Sequence, residues 1–63
     1  MANSNKEIAD LTKSAAEELQ AVQDYLLRAR DASPDTQEVY LHIAQEEEEH
    51  FSEIMARLSG LGA

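Results

Sequence analysis

The sequence predicts an all-α fold, an antiparallel hairpin of two long helices that pairs with a second copy into a four-helix bundle. Pro34 is the single proline, and Gly60 and Gly62 are the only glycines, so nothing interrupts a helix on either side of Pro34. Apolar residues recur at helical spacing in both halves. With 63 residues and no cysteine, the chain lacks a disulfide or thiolate-metal staple, and self-association is the expected remedy.

The first helix is predicted over about residues 5–31. Ser4 and Glu7 have the spacing of a capping box, and the apolar periodicity begins directly afterwards at Ile8. Strong helix formers then continue as far as Arg30. Positions at alternating spacings of three and four residues form one stripe, made of Ile8, Leu11, Ala15, Glu18, Val22, Tyr25 and Ala29.

The second helix is predicted over about residues 34–58. Ser33 suits the N-cap and Pro34 the first helical position. Either Gly60 or Gly62 should end the helix. Its stripe consists of Tyr40, Ile43, Glu47, His50, Ile54 and Leu61, with Arg57 interrupting.

Further apolar residues flank both stripes. They make each stripe wider than a two-stranded seam requires, as expected for helices with more than one neighbour. The flanking residues are Leu19, Leu26, Ala44, Phe51, Met55 and Leu58. This width predicts a homodimer as the unit of a larger homo-oligomer.

Three polar residues interrupt the apolar stripes: Glu18, Glu47 and His50. If the turn centres near Ser33, Glu18 comes level with a point between Glu47 and His50. Charged side chains are rarely buried unless they are paired or metal-bound, and a Glu with a Glu-x-x-His is the ligand set of di-iron carboxylate bundles. Two-fold pairing would surround two metals with four carboxylates and two imidazoles. We therefore expect two irons per dimer and a ferroxidase that oxidises Fe(II) to Fe(III) with dioxygen.

Tyr25 lies two helical turns from Glu18 on the same stripe. Its hydroxyl can tune the candidate site, or its ring can simply pack in the core. Glu17 and Gln20 border Glu18 and can line a route for metal uptake, or they can be ordinary solvated surface.

A second group of polar residues shares an outward face of the second helix: His42, Glu46 and Glu49. Their spacing of four and three residues allows a secondary site for calcium or zinc. An exposed polar face explains the same pattern without any metal.

The charge of the chain disfavours several kinds of partner. With 13 acidic and 5 basic residues the net charge is −8, which opposes binding to nucleic acid or anionic membranes and favours cations. Residues 1–6 contain no apolar core of a signal peptide, and no later apolar run is long enough to span a bilayer. We expect a cytoplasmic protein that binds neither nucleic acid nor membrane.

Three segments, 17–25 (EELQAVQDY), 30–33 (RDAS) and 46–50 (EEEEH), resemble the encapsulated ferritins, and the resemblance covers about residues 15–58. It implies a ferritin-like half-bundle that dimerises around a di-iron ferroxidase centre, assembles as an open ring of dimers and works inside an encapsulin nanocompartment that stores the iron oxide. By position, the resemblance implies iron ligands at Glu18, Glu47 and His50, a tyrosine beside the centre at Tyr25, an acidic uptake residue at Glu17, and an outer metal site at His42, Glu46 and Glu49.

The chain departs from the family pattern at Gln20, where a second uptake glutamate is common, and at Asp24, where tryptophan is frequent. It also stops soon after the second helix, so we expect a truncated form or a shortened relative. The leading alternative function is a non-catalytic interaction module whose Glu and His residues mediate metal- or pH-dependent self-assembly. A purely structural hairpin is the third interpretation.

Overall fold

The computed structural model describes residues 4–63. It contains two α-helices of 27 residues each, α1 (Ser4–Arg30) and α2 (Pro34–Gly60). They pack against each other as a hairpin in a body of 50 × 15 × 14 Å, and residues 4–63 contain no strand. The all-helical hairpin is therefore confirmed. Helix α1 ends at Arg30, one residue before the predicted end, and α2 continues two residues beyond position 58.

A short turn over residues 31–33 joins the helices. Ser33 is the N-cap of α2 with an extended backbone (φ −62°, ψ 158°), and Pro34 follows as the first helical residue. The Ser33 hydroxyl donates to Thr36 Oγ1 at 3.3 Å and makes no cap to the backbone. Gln37 ties the turn together from α2, because its Nε2 donates to the Ala29 carbonyl oxygen at 2.9 Å and so satisfies a carbonyl group near the end of α1.

Gly62 marks the end of α2. Its φ of 80° lies in the left-handed region that glycine adopts without strain. The Gly62 amide donates to the Ser59 carbonyl and the Ala63 amide to the Leu58 carbonyl, both at 3.1 Å, which is the Schellman pattern. Of the two candidate glycines, Gly62 is the stop and Gly60 is still helical.

The core between the helices is thin. Three of the five buried apolar residues among positions 4–63 are alanines, and the five are Ala15, Val22, Ala29, Ala44 and Leu58. Most other stripe residues are half-buried. Leu58, which was predicted to flank the stripe, is buried, whereas Arg57 at the stripe position is exposed. Leu58 follows Ile54 by four residues and therefore lies on the same inner face of α2.

Much apolar surface stays uncovered. The accessible surface of the hairpin is 4754 Å², whereas a compact monomer of the same mass of 7.0 kDa exposes about 4000 Å². Neither helix within residues 4–63 has an apolar stretch that would cross a membrane. The exposed large apolar side chains are Leu19, Leu26, Leu27, Val39, Leu41 and Met55.

Candidate metal centre

Glu18 of α1 meets Glu47 and His50 of α2. One carboxylate oxygen from each glutamate and one ring nitrogen of His50 lie within 4.8 Å of one another. His50 Nδ1 is 3.6 Å from Glu18 Oε2 and 3.8 Å from Glu47 Oε1. The three side chains thus come level across the two helices, where the helical rise counted from Ser33 places them.

The local sequence explains how each side chain reaches this position. Glu47 and His50 are three residues apart in α2, so both project to one face. Glu18 stands on the inner stripe of α1 between Ala15 and Val22, which are both buried. The buried Oε2 of Glu18 lies 3.6 Å from His50 Nδ1 of α2, so the carboxylate faces α2.

Both carboxylates have lost much of their water. The side chains of Glu18 and Glu47 are 27% and 22% exposed, and that of His50 is 53% exposed. While both acids are ionised, Glu18 Oε2 is buried without a hydrogen-bond partner, since the His50 nitrogen at 3.6 Å lies beyond hydrogen-bonding distance. A buried polar atom without a partner destabilises the fold. A carboxylate oxygen in this position is satisfied by a proton or by a cation.

The electrostatics of the group favour such a positive species. The pKa of Glu47 is raised above its ordinary value of 4.5, first because a hydrogen bond to the Glu18 carboxyl forms only while one of the two acids keeps its proton. Loss of hydration and the negative charge of Glu18 raise the pKa of Glu47 further, while His50 lowers it and Glu46 raises it slightly. The two acids therefore repel each other when both are ionised.

The donor set suits a transition metal. Two carboxylate oxygens and an imidazole nitrogen are ligands for Fe(II), Zn(II) and related divalent ions, whereas calcium prefers oxygen alone. This is the only group of three or more such ligands that the structure forms within positions 4–63. One chain supplies three ligands, and the half-exposed His50 shows that the group is accessible from outside the hairpin.

Tyr25 does not join this group. It lies seven residues after Glu18, about 10 Å along the helix axis. Its half-buried ring pairs with that of Tyr40, with centroids 5.9 Å apart and planes tilted by 39°. The Arg28 guanidinium carbon lies 5.2 Å from the Tyr25 ring centroid. Sequence reasoning missed this cation–π contact, which the three-residue spacing in a helix signals.

The outer group on α2 is brought together only in part. His42 Nδ1 lies 3.3 Å from Glu46 Oε1, and the two side chains are 71% and 52% exposed. Glu49 is exposed as well, and it forms no three-residue ligand group in the described part of the chain. The structure shows an exposed ion pair here, and a metal site at these residues stays a prediction.

The two residues considered for metal uptake are both exposed on α1. Glu17 lies beside Glu18 in sequence but on the outer side of the helix. Gln20 Nε2 donates to Asp24 Oδ1 at 3.0 Å, so its amide is already engaged on the helix surface. The four-residue spacing of Gln20 and Asp24 signals this bond, which sequence reasoning also missed.

Of the residues singled out from the sequence, the structure therefore gathers Glu18, Glu47 and His50 at one point. Comparison of the chain with protein-family models, with curated proteins and with solved structures finds no match. Its function is inferred from the chemistry of this group of residues and from the sequence.

Proposed function

We propose that this chain is half of a ferroxidase, in which two copies form a four-helix bundle and oxidise Fe(II) to Fe(III) with dioxygen. The observation that carries the proposal is the meeting of Glu18, Glu47 and His50 with a buried, unpartnered oxygen on Glu18. A purely structural hairpin gains no stability from two carboxylates held together away from water. A bound cation removes that penalty.

A second copy completes the ligand set. Two-fold pairing brings each ligand together with its mate and supplies four carboxylates and two imidazoles, the inventory of di-iron carboxylate bundles. Carboxylates that bridge two cations hold them close together and offset their charge. The acidic ligands stabilise Fe(III) more than Fe(II), because the more highly charged ion gains more from negative oxygen donors.

The surface of the hairpin supports pairing with a second copy. It exposes 4754 Å², about 700 Å² more than a compact monomer of its mass, and six large apolar side chains lie on this surface. Leu19 and Leu26 are exposed and lie seven residues apart, so they share one side of α1.

The reaction needs iron, dioxygen and protons from solvent. Two Fe(II) ions bind as substrate and give up one electron each, and dioxygen takes both electrons with two protons to form hydrogen peroxide. The net charge of −8 draws cations toward the protein. The hairpin is only about as thick as two helices, so it encloses no space for mineral, and the Fe(III) product leaves for another compartment.

The resemblance to encapsulated ferritins supports the same proposal and extends it. It adds a ring of dimers as the assembly and an encapsulin nanocompartment as the place where the oxidised iron is stored. The residues that carry the resemblance include all three candidate ligands, Glu18, Glu47 and His50.

The proposal is tested by adding Fe(II) in air and measuring the absorbance of the Fe(III) that forms. We expect wild type and Glu48→Ala, the matched control at an exposed acid of α2, to oxidise Fe(II) well above the protein-free rate. Glu18→Ala and His50→Ala should fall to about the protein-free rate. If wild type develops no excess ferric absorbance but gains mass with zinc, the chain is a metal-dependent assembly module and the ferroxidase proposal is wrong.

A further inference from the structure

Four of the six large apolar side chains on the surface lie in two rows, one on each helix. They are all between 43% and 47% exposed, and they are Leu19 and Leu26 on α1 and Leu41 and Met55 on α2. The two residues of α1 follow buried residues by four positions, and the two of α2 precede buried residues by three, so both rows lie to the same hand of the inner line of their helix. Because the helices are antiparallel, the two rows lie together on one side of the hairpin, which we call the apolar side.

The candidate metal centre opens on the opposite side of the hairpin. Glu18 and Glu47 follow the buried residues Ala15 and Ala44 by three positions, which turns them away from the apolar side. His50 lies three positions further along α2 and is turned farther in the same direction. A second copy that shares metal ions with these residues therefore leaves the apolar side uncovered.

Charge indicates what covers the apolar side. Its rows contain one charged residue and consist of Thr12, Leu19 and Leu26 on α1 and Leu41, Glu48 and Met55 on α2. Two copies with a net charge of −8 each repel one another, so they approach best through surfaces that carry little charge. A cationic partner would gain more from the acidic outer face of α2, where Glu46 and Glu49 are exposed. The apolar side therefore fits a second copy of this chain.

We propose that the apolar sides of two copies bind each other without metal, so that the chain has two opposite faces for its own copies. At the metal centre, bound cations offset the repulsion between the two acidic chains. On the apolar side, burial of leucine and methionine side chains drives the contact, and there is little charge to remove from water. The same patch is used on both copies, as in other two-fold dimers. This contact goes beyond the proposed ferroxidase function and does not depend on it.

Sedimentation equilibrium of the metal-free protein, in the presence of a chelator and over a series of concentrations, tests this contact. We expect wild type to pass from monomer to dimer as its concentration rises. Leu26→Glu should weaken this association at least about tenfold, because the contact would bury two carboxylates, one from each copy. Leu27→Glu is the matched control and should associate as wild type does, since Leu27 is exposed but lies one residue further around α1, off the apolar side.

The response to charge sharpens the test. Added salt should strengthen the association, because it screens the repulsion between two chains of net charge −8. Glu48→Gln removes the one charge in the two rows and should strengthen the association as well. Weaker association in either case would mean that attraction between charges holds the copies together, and it would contradict the inference.

Circular dichroism checks that each variant keeps its helices, and Met55→Gln tests the same contact from α2 if Leu26→Glu loses them. Wild type that stays monomeric at every concentration overturns the inference. Equal association of wild type and the apolar-side variant overturns it too, as does a loss in Leu27→Glu as large as that in Leu26→Glu. Since no metal is present, these outcomes do not bear on the ferroxidase proposal, and a failure to oxidise Fe(II) does not bear on the apolar contact.

Discussion

Helix α2 carries two histidines with acidic neighbours, and they stand in different surroundings. His50 lies with Glu47 and, across the hairpin, with Glu18, whose Oε2 is buried without a partner. His42 pairs with Glu46 on the outer face, where both side chains are mostly exposed. The residue types are the same, but water can satisfy the outer pair, whereas only a proton or a cation satisfies the inner group. The candidate site therefore differs from the outer pair because its side chains come from two helices and its carboxylates are shielded from water, not because its residue types differ.

The largest difference between the two groups should be in metal affinity. Glu18→Ala removes a direct ligand, so we expect Fe(II) binding without oxygen to weaken by at least about 100-fold, the upper range for losing an outer-shell partner of a metal site. Glu46→Ala should change the affinity by less than about fivefold, since an exposed ion pair contributes about 1 kcal/mol at most. Isothermal titration calorimetry measures both. Equal losses in the two variants would contradict the distinction.

The two groups should also differ in their effect on the metal-free fold. Glu47→Gln removes one of the two repelling acids, so we expect a higher melting temperature at neutral pH. Because the pKa of Glu47 is raised, its stabilising contribution is fully present below pH 4.5 and is lost as pH rises through the higher folded-state value. The advantage of Glu47→Gln should therefore shrink as the pH is lowered. Circular dichroism melts across pH measure this, and a lower melting temperature for Glu47→Gln at neutral pH would argue against repulsion.

A titration of Glu47 itself resolves which neighbour is responsible. Nuclear magnetic resonance of the Glu47 carboxyl carbon in the metal-free protein should give a pKa above 4.5. Glu18 is the largest cause of this increase and Glu46 a small one. Glu18→Gln should lower the pKa of Glu47 clearly, because the amide donates to the ionised form and carries no charge. Glu46→Gln should lower it much less. The reverse order would mean that the outer face controls the inner acid.

The smallest effect is expected at the outer histidine. His42→Ala should change the free energy of unfolding by less than about 1 kcal/mol, as is typical for an exposed pair, and should leave Fe(II) affinity as in wild type. Urea unfolding and calorimetry check the two quantities. A large loss of affinity in His42→Ala would show that the outer face holds the functional metal.

The hairpin was predictable because its signals are local. Pro34 after Ser33 fixes the start of α2, and the sequence narrows its end to Gly60 or Gly62. The helical rise counted from the turn brings Glu18 level with Glu47. These statements need only helix geometry and the chemistry of single residues.

Other features depend on the packing of the two helices. The burial of Leu58 in place of Arg57, and of Ala44, depends on which side of α2 packs most closely on α1. The missing partner of Glu18 Oε2 depends on distances of a few tenths of an ångström, which no sequence pattern specifies. Pairing with a second copy depends on two surfaces together, and one chain shows only one of them.

A crystal grown with ferrous salt, with diffraction measured at the iron absorption edge, tests the central claim most directly. We predict two iron peaks between paired chains, each within bonding distance of Glu18, Glu47 or His50 side chains from both copies. Iron bound only at His42 and Glu46, or no iron peak beside Glu18 in a crystal whose chains are paired, would contradict it.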